Sequence, residues 1–302
     1  MHDARHITQS HAEPVVEVGP TVRRNFTLLL TLASSLASAQ VVGADGPDLR
    51  DLQSSRNMAM GGAYEALGYG AETIGGNPAG LSLYKRYQIE ATGSWDVPQG
   101  YGFASVAIAD STNPLTMGLS YHFATYGGEQ RRFAHLTTVA ASYAFGDVIH
   151  IGLATRHHAI VGPPNANSIT INGGIIARPV QWLTFGFSGH NLISVYNKDI
   201  TRYFVASIGV QIFGQLTPAF DLRMDFNDPN GARLAYHAGL EWLIAEAVPL
   251  RIGYQYDDIM HHQYISAGVG WFNQGSGIDF AYRHEIGGTE GRLISLTLKL
   301  QL

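Results

Sequence analysis

From about Tyr84 to Leu302 one theme repeats: roughly ten to thirteen residues of alternating apolar and polar character, then a short cluster of Gly, Asn, Asp or Pro. Each unit reads as a strand followed by a turn. The predicted strands run over 85–95, 101–110, 115–125, 132–145, 149–160, 168–178, 182–193, 202–213, 216–227, 232–244, 249–258, 262–272, 276–286 and 291–302, fourteen in all. They are about twice the usual strand length of a soluble protein, and fit a tilted crossing of a bilayer by about nine to eleven residues. No apolar run after residue 40 reaches the roughly 20 residues that a spanning helix needs. Strands placed in hydrocarbon must close on themselves, because an open edge leaves backbone N–H and C=O groups without partners. An even number returns both ends of the barrel to one side. The fold class expected is therefore all-β: a transmembrane antiparallel β-barrel of about 14 strands.

The last strand shows the period most clearly. Ile294, Leu296, Leu298, Leu300 and Leu302 fall on one face, and Ser295, Thr297, Lys299 and Gln301 on the other. The same split places Phe220, Leu222, Met224 and Phe226 opposite Asp221, Arg223 and Asp225, and Ile278, Phe280 and Tyr282 opposite Asp279, Arg283 and Glu285. All four tryptophans, Trp95, Trp182, Trp242 and Trp271, lie at or near strand ends, as do Tyr101, Tyr203, Phe213, Tyr256 and Tyr264. Such rings prefer the headgroup zone. The connections Ser111–Asn113, Gly146–Asp147 and Gly214–Gln215 are tight. Those at Tyr126–Arg131, Val161–Asn167, Ser194–Thr201 and Asp228–Gly231 are longer, though none is expected to exceed about eight residues. Gly173-Gly174 is poor strand material, and predicts a kink, a bulge or the close approach of another segment.

The charge balance excludes some functions. Charged residues are only 14% of the chain and the net charge is −5, with no run of Lys and Arg, so nucleic acid is not an expected partner. There are no cysteines, which removes disulfides and thiolate metal sites. Near the start, Arg23 and Arg24 precede an apolar run from Phe26 to Leu36, and Ala37-Ser38-Ala39 supplies a small-x-small cleavage pattern. Residues 1–39 are thus expected to be an N-terminal extension and a cleaved signal peptide, with Val22 the initiator and Gln40 the mature N-terminus. Removing them takes Arg5, Arg23 and Arg24 together with Asp3, Glu13 and Glu17, and leaves the net charge unchanged.

Residues 40–83 differ in kind. They are small and Gly-rich, without a two-residue period, and should form turns and short helical pieces. Within them stand Arg56-Asn57-Met58-Ala59-Met60-Gly61-Gly62-Ala63-Tyr64 and, about a dozen residues later, Asn77-Pro78-Ala79-Gly80-Leu81. With the strands that follow, these motifs resemble the FadL-type superfamily of outer-membrane transporters for long-chain fatty acids and other hydrophobic compounds, PorV-type secretion barrels included. The resemblance implies that residues 40–83 are a periplasmic N-terminus and a hatch inside a barrel formed by residues 84–302. Its hatch motif residues are Gly61, Gly62, Asn77, Pro78, Ala79 and Gly80. Full-size transporters of that kind are longer, with large outer loops, and their lateral exit depends on a kink in an early strand, for which Gly118 is the candidate here.

No phosphate loop, dinucleotide fingerprint or Gly-x-Ser-x-Gly elbow is present, and no enzyme or cofactor is expected. His157-His158 and His261-His262 point to opposite faces of a strand, so neither pair can ligate one metal; each reads as exposed strand-end histidine. The inward faces of the later strands carry Asp221, Arg223, Asp225, Arg233, His237, Glu241, Arg251, Asp257, Asp279, Arg283, Glu285 and Lys299. Their mixed signs predict a salt-bridged polar network that clamps the hatch or lines a solute path, not a single-sign selectivity ring. Two functions follow. One is movement of a small hydrophobic solute across the outer membrane, with outer-membrane lipid around the barrel. The other is a scaffold barrel docking periplasmic or surface envelope proteins of a secretion or motility complex, which the short connections favour.

Overall fold

A computed structural model describes residues 49, 52–98, 100–126, 131–162, 165–193, 200–226, 231–244, 247–258, 261–287 and 291–302. The expected signal peptide and Gln40, and most of the outer connections 126–131, 194–201 and 228–231, lie outside the described residues.

Fourteen strands form a closed barrel: β1 Tyr87–Asp96, β2 Tyr101–Asp110, β3 Leu115–Tyr126, β4 Arg132–Phe145, β5 Ile149–Val161, β6 Ala166–Val180, β7 Leu183–His190, β8 Tyr203–Val210, β9 Leu216–Asp225, β10 Arg233–Ile244, β11 Val248–Asp257, β12 His262–Phe272, β13 Ser276–Glu285 and β14 Arg292–Gln301. Every neighbouring pair is antiparallel. The ring closes where β1 meets β14, from Gln88 opposite Gln301 to Asp96 opposite Leu293. Closure satisfies the backbone without water, which is what strands in hydrocarbon require. Connections such as 146–148, 181–182, 245–247 and 273–275 are short at one end, here the tight-turn end, while 191–202, 226–232 and 286–291 make the other the long-connection end.

The predicted register holds. On β14, Ile294, Leu296, Leu298 and Leu300 are exposed outward, and Ser295, Thr297 and Lys299 are buried within. Phe220, Ile278 and Phe280 likewise face out from β9 and β13, with Asp221 and Asp279 behind them. The outer surface is thus an apolar band that water would disfavour and hydrocarbon accepts. All four tryptophans stand about half-exposed on it. Among the other aromatics, Phe213 and Tyr256 also turn outward, but Tyr203 is buried inside, stacked on His190, and Tyr264 lies under Arg283.

Three details depart from the sequence expectation. β7 stops at His190 because Asn191 takes a left-handed φ of 54° and its N–H turns back to Asn172 Oδ1 at 2.9 Å. With β8 starting only at Tyr203, the connection 191–202 is longer than the eight or so residues expected. His158 is buried inside the wall, whereas His157 faces out and bonds Asn167.

Candidate functional site

Against the inward face of this wall lies the Gly-rich segment, whose side chains from residue 53 to 82 are nearly all buried. It begins with a single helical turn, α1 Ser55–Ala59, capped by the Ser54 side chain. Gly61 and Gly62 end it with φ of 65° and 82°. The N–H of Gly61 reaches Met58 O at 3.0 Å and that of Gly62 reaches Asn57 O at 2.9 Å, the double bond of a Schellman ending that only glycine enters without strain. Two 3₁₀ turns follow, Gly70–Thr73 and Pro78–Ser82. Asn77 caps the second: its Oδ1 accepts from Ala79 N at 3.1 Å, its Nδ2 donates to Ile175 O of β6 at 3.4 Å, and Pro78 supplies the preset φ of a first helical residue. Gly80 has no room for a side chain, since a Cβ there would meet Thr73 and the Gly68 carbonyl.

The wall is shaped to receive this segment. A Cβ on Gly174 of β6 would collide with Asn77 Oδ1, and one on Gly253 of β11 with the backbone of Met60 and Gly61. Gly152 meets Pro78 and Ala79 in the same way, and Gly239 meets Met60 O. The Gly173-Gly174 pair in β6 is therefore explained by close approach, and a register shift between Ala177 and Val180 of the same strand adds a bulge. Gly118 of β3 faces Ile74 and Leu81, so it is a seat as well; β3 pairs with both neighbours without a register shift there.

Polar bonds fix the segment in register. Asp221 accepts from the N–H groups of both Tyr64 and Glu65, each at 2.9 Å. His237 Nδ1 lies 2.8 Å from Gly61 O, Ser266 donates to Ala59 O at 3.1 Å, and Ser55 N donates to Thr297 at 2.9 Å. Beside these runs a buried chain of ion pairs. Arg56 pairs with Glu72 at 2.5 Å and Glu241 at 3.0 Å, and Arg251 with Glu241 at 2.6 Å and Asp279 at 2.5 Å. Lys299 completes the chain, reaching Glu72 at 3.1 Å, Asp279 at 3.3 Å and Glu90 at 3.7 Å. Burial opposes the charge on Glu72, but Lys299 and Arg56 more than offset it and hold its carboxyl below the usual range. Glu65 is likewise held low against its burial, by His190 and by the Ser188 hydroxyl at 2.6 Å.

The predicted polar set thus divides. Asp221, His237, Glu241, Arg251 and Asp279 gather around the segment, with Lys299. Arg223, Asp225, Arg233, Arg283 and Glu285 lie nearer the long-connection end: Arg223 sits 4.0 Å from Asp257 and over the Tyr203 ring, Arg233 pairs with Asp258 at 3.4 Å, and Glu285 with His262 at 2.5 Å. Arg283 lies over the Tyr264 ring, and Asp225 is buried at the end of β9. The segment's own members, Arg56, Glu65 and Glu72, went unrecognised as partners. The available signal was three charges in an otherwise small, uncharged stretch, since buried charges need partners. Among the described residues no group of three or more His, Asp or Glu side chains is placed to hold a metal ion.

An apolar patch was also missed. At the long-connection end, Phe103, Ala124, Ala134, Leu136 and Ile160 of β2–β5 turn inward and pack with Leu49 and Ile200. The interior is therefore greasy on one side and ionic on the other.

Solved structures share this architecture. The CymD monoaromatic hydrocarbon channel aligns at 12% identity over 82% of this chain and 97% of its own, with a TM-score of 0.67. The chain has the fold of a FadL-type barrel. A Pseudomonas aeruginosa FadL homologue gives 10% identity over 87% and 98% of the two chains, and the Pseudomonas putida toluene transporter TodX gives 11% over 87% and 99%, both with TM-scores of 0.61. No protein-family profile and no curated protein sequence matches the chain. The likeness spans nearly the full length of these barrels and is one of fold.

Proposed function

We propose that this chain is an outer-membrane channel for small hydrophobic compounds, exported by a cleaved signal peptide, with the Gly-rich segment as a hatch in its lumen. The observation that carries the reading is the inward apolar patch of Phe103, Leu136 and Ile160. A porin lumen is lined for water and ions, whereas the apolar side chains turned inward here, packed with Leu49 and Ile200, give the interior a surface that an apolar solute would prefer. The fold shared with hydrocarbon channels supports the same solute class. In this reading Gly61, Gly62, Asn77, Pro78, Ala79 and Gly80 shape the hatch, and the network of Asp221, His237, Glu241, Arg251 and Asp279 holds it against the wall. The solute gains access at the long-connection end and passes along the edge of the hatch. No step is catalytic.

The test is uptake of a radiolabelled monoaromatic hydrocarbon by cells with and without the protein, with Phe103→Gln and Leu136→Gln as variants. Uptake that depends on the protein and falls several-fold in the variants, at equal amounts of folded barrel, supports the channel. Deleting residues 45–80 should also leave a folded barrel that conducts ions, since the wall closes without them. The extent of hatch anchoring favours a second reading, a static scaffold for periplasmic or surface envelope proteins. Stable co-purification with such proteins, without protein-dependent uptake, would decide for it.

A further inference from the structure

At the tight-turn end a cavity of about 130 Å³ lies between the Gly-rich segment and β6–β10. Its size is close to the roughly 150 Å³ that houses a single benzene ring. Leu67 and Leu83 give it apolar wall, and Tyr69 and Tyr84 meet edge to face at 5.3 Å beside it. Its charges do not balance. Glu241 is already matched by Arg56 and Arg251. Arg178, which also lines the cavity, has no carboxylate partner within 4.0 Å among the described residues; its guanidinium lies 5.6 Å from the Tyr84 ring centre and donates to Gln181 O at 3.3 Å. Arg86, stacked over Tyr69 and Tyr84 at 4.9 Å and 5.5 Å, also has no carboxylate partner there. In a chain of net charge −5, Arg178 is thus left at the cavity without a counter-charge, and Arg86, which donates to Gln301 Oε1 at 2.8 Å and does not line the cavity, adds a second positive charge behind the tyrosines.

We infer that this cavity binds a monoaromatic carboxylate, its ring against Tyr69 and Tyr84 and its carboxylate on Arg178. The cavity has room for one ring, the tyrosine edges and Leu67 favour an aromatic body, and the planar fork of a guanidinium matches a carboxylate in two parallel hydrogen bonds. Arg86 adds field without filling the space. The inference extends the transport reading by naming an acidic ligand class at the end opposite the apolar patch, and rests on that reading for the site's role in uptake, not for its chemistry.

Benzoate is the probe, with toluene as its uncharged counterpart and the detergent-purified full barrel as the protein. Binding is read by calorimetry and by quenching of Trp182, which borders the cavity. Benzoate should bind saturably and more tightly than toluene. Arg178→Gln should weaken benzoate by about tenfold or more, the loss of a charge-assisted hydrogen bond, and leave toluene unchanged, while Arg178→Lys restores part of the affinity. Folding of each variant is checked by its heat-dependent gel shift. Absence of saturable benzoate binding to the folded barrel, or equal affinity of the Arg178→Gln variant, overturns the inference. Absence of hydrocarbon uptake with benzoate binding intact would instead overturn the transport reading alone.

Discussion

If the wall glycines exist to seat the Gly-rich segment, one added methyl group should have opposite effects at two positions in the same barrel. Gly93 of β1 faces outward and has nothing within 4 Å of a built Cβ. Gly253 of β11 faces inward, where that Cβ would overlap Gly61 N and Met60 C. Replacing glycine by alanine removes freedom from the unfolded chain and contributes about 0.4–1 kcal/mol of stability wherever the native conformation accepts it. Gly93→Ala should show that gain and nothing else. In Gly253→Ala the gain is opposed by overpacking, about 1–3 kcal/mol for an unaccommodated methylene. The overlapped atoms are backbone held by His237, Ser266 and the Schellman ending, so no flexible side chain can step aside. The expected net loss is about 0.5–2 kcal/mol. It should fall on the segment before the wall, because the β10–β11–β12 ladder runs through Gly253 unbroken. Urea titration of the purified barrel gives the stability difference, and planar-bilayer conductance reports whether the segment has loosened. Equal stability and equal conductance for the two variants would refute the seat.

Three further outcomes follow from the same geometry. Leu298→Arg, outward at mid-strand, should cost about 2–4 kcal/mol in lipid, whereas Leu302→Arg at the strand end should cost about 0–1 kcal/mol; equal costs in a refolding titration would mean that the outer face is misplaced. Lys299→Met strands buried carboxylates and should destabilise by about 3–5 kcal/mol, with most of the loss recovered by adding Glu90→Gln, because Glu72 and Asp279 keep Arg56 and Arg251 while Glu90 does not; a double-mutant cycle without coupling would contradict this. Glu65 and Glu72 are both held below their ordinary pKa, so their contribution is present above the unfolded-state value and lost as pH falls through the folded one. The share of the anchoring that Glu65 and Glu72 supply should therefore persist from neutral pH down to about pH 5 and be lost only in stronger acid, whereas a rise in conductance between about pH 6 and 8 would point to other groups, Asp221 and Glu90 among them.

Strand number and register were legible because lipid and a polar interior demand opposite chemistry on successive residues, as in Thr297-Leu298-Lys299-Leu300. Gly173-Gly174 carried its message too, since two glycines mid-strand require a reason. The apolar patch was not legible. Around Phe103, Leu136 and Ile160 both faces include apolar residues, so the period gives no sign of which is inside. Nor could the pairing of Glu72 with Lys299 be read, as these residues are 227 apart and meet only through barrel closure. Tyr203 looked like a girdle aromatic by its place at a strand end; stacking on His190 and a cation above its ring hold it inside instead.

The distribution of anchors bears on how a solute could pass. On one side α1 is tied to β14 and β12, and on another the Asn77–Ser82 turn is tied to β4–β6: Ser82 Oγ lies 2.8 Å from Ser142 Oγ, and Asn77 reaches Ile175 O. Between these sides, along β7–β9, the wall offers Thr184, Gly209 and Thr217 to the cavity. A path on that side needs no displacement of α1 or of the Asn77–Ser82 turn, but it does need Tyr64–Leu67 to leave the bonds that Asp221 of β9 and Ser188 of β7 make to them. The absence of native cysteine makes this directly testable. One disulfide, from Ser55→Cys with Ser295→Cys, whose hydroxyls lie 2.8 Å apart, would lock α1 to β14, and a second, from Ser82→Cys with Ser142→Cys, would lock the other end. If the solute passes along β7–β9, hydrocarbon uptake should survive either lock and both together. Uptake abolished by oxidation and restored by a reductant would mean that the whole segment must leave its seat, and that the wall glycines describe only its resting position.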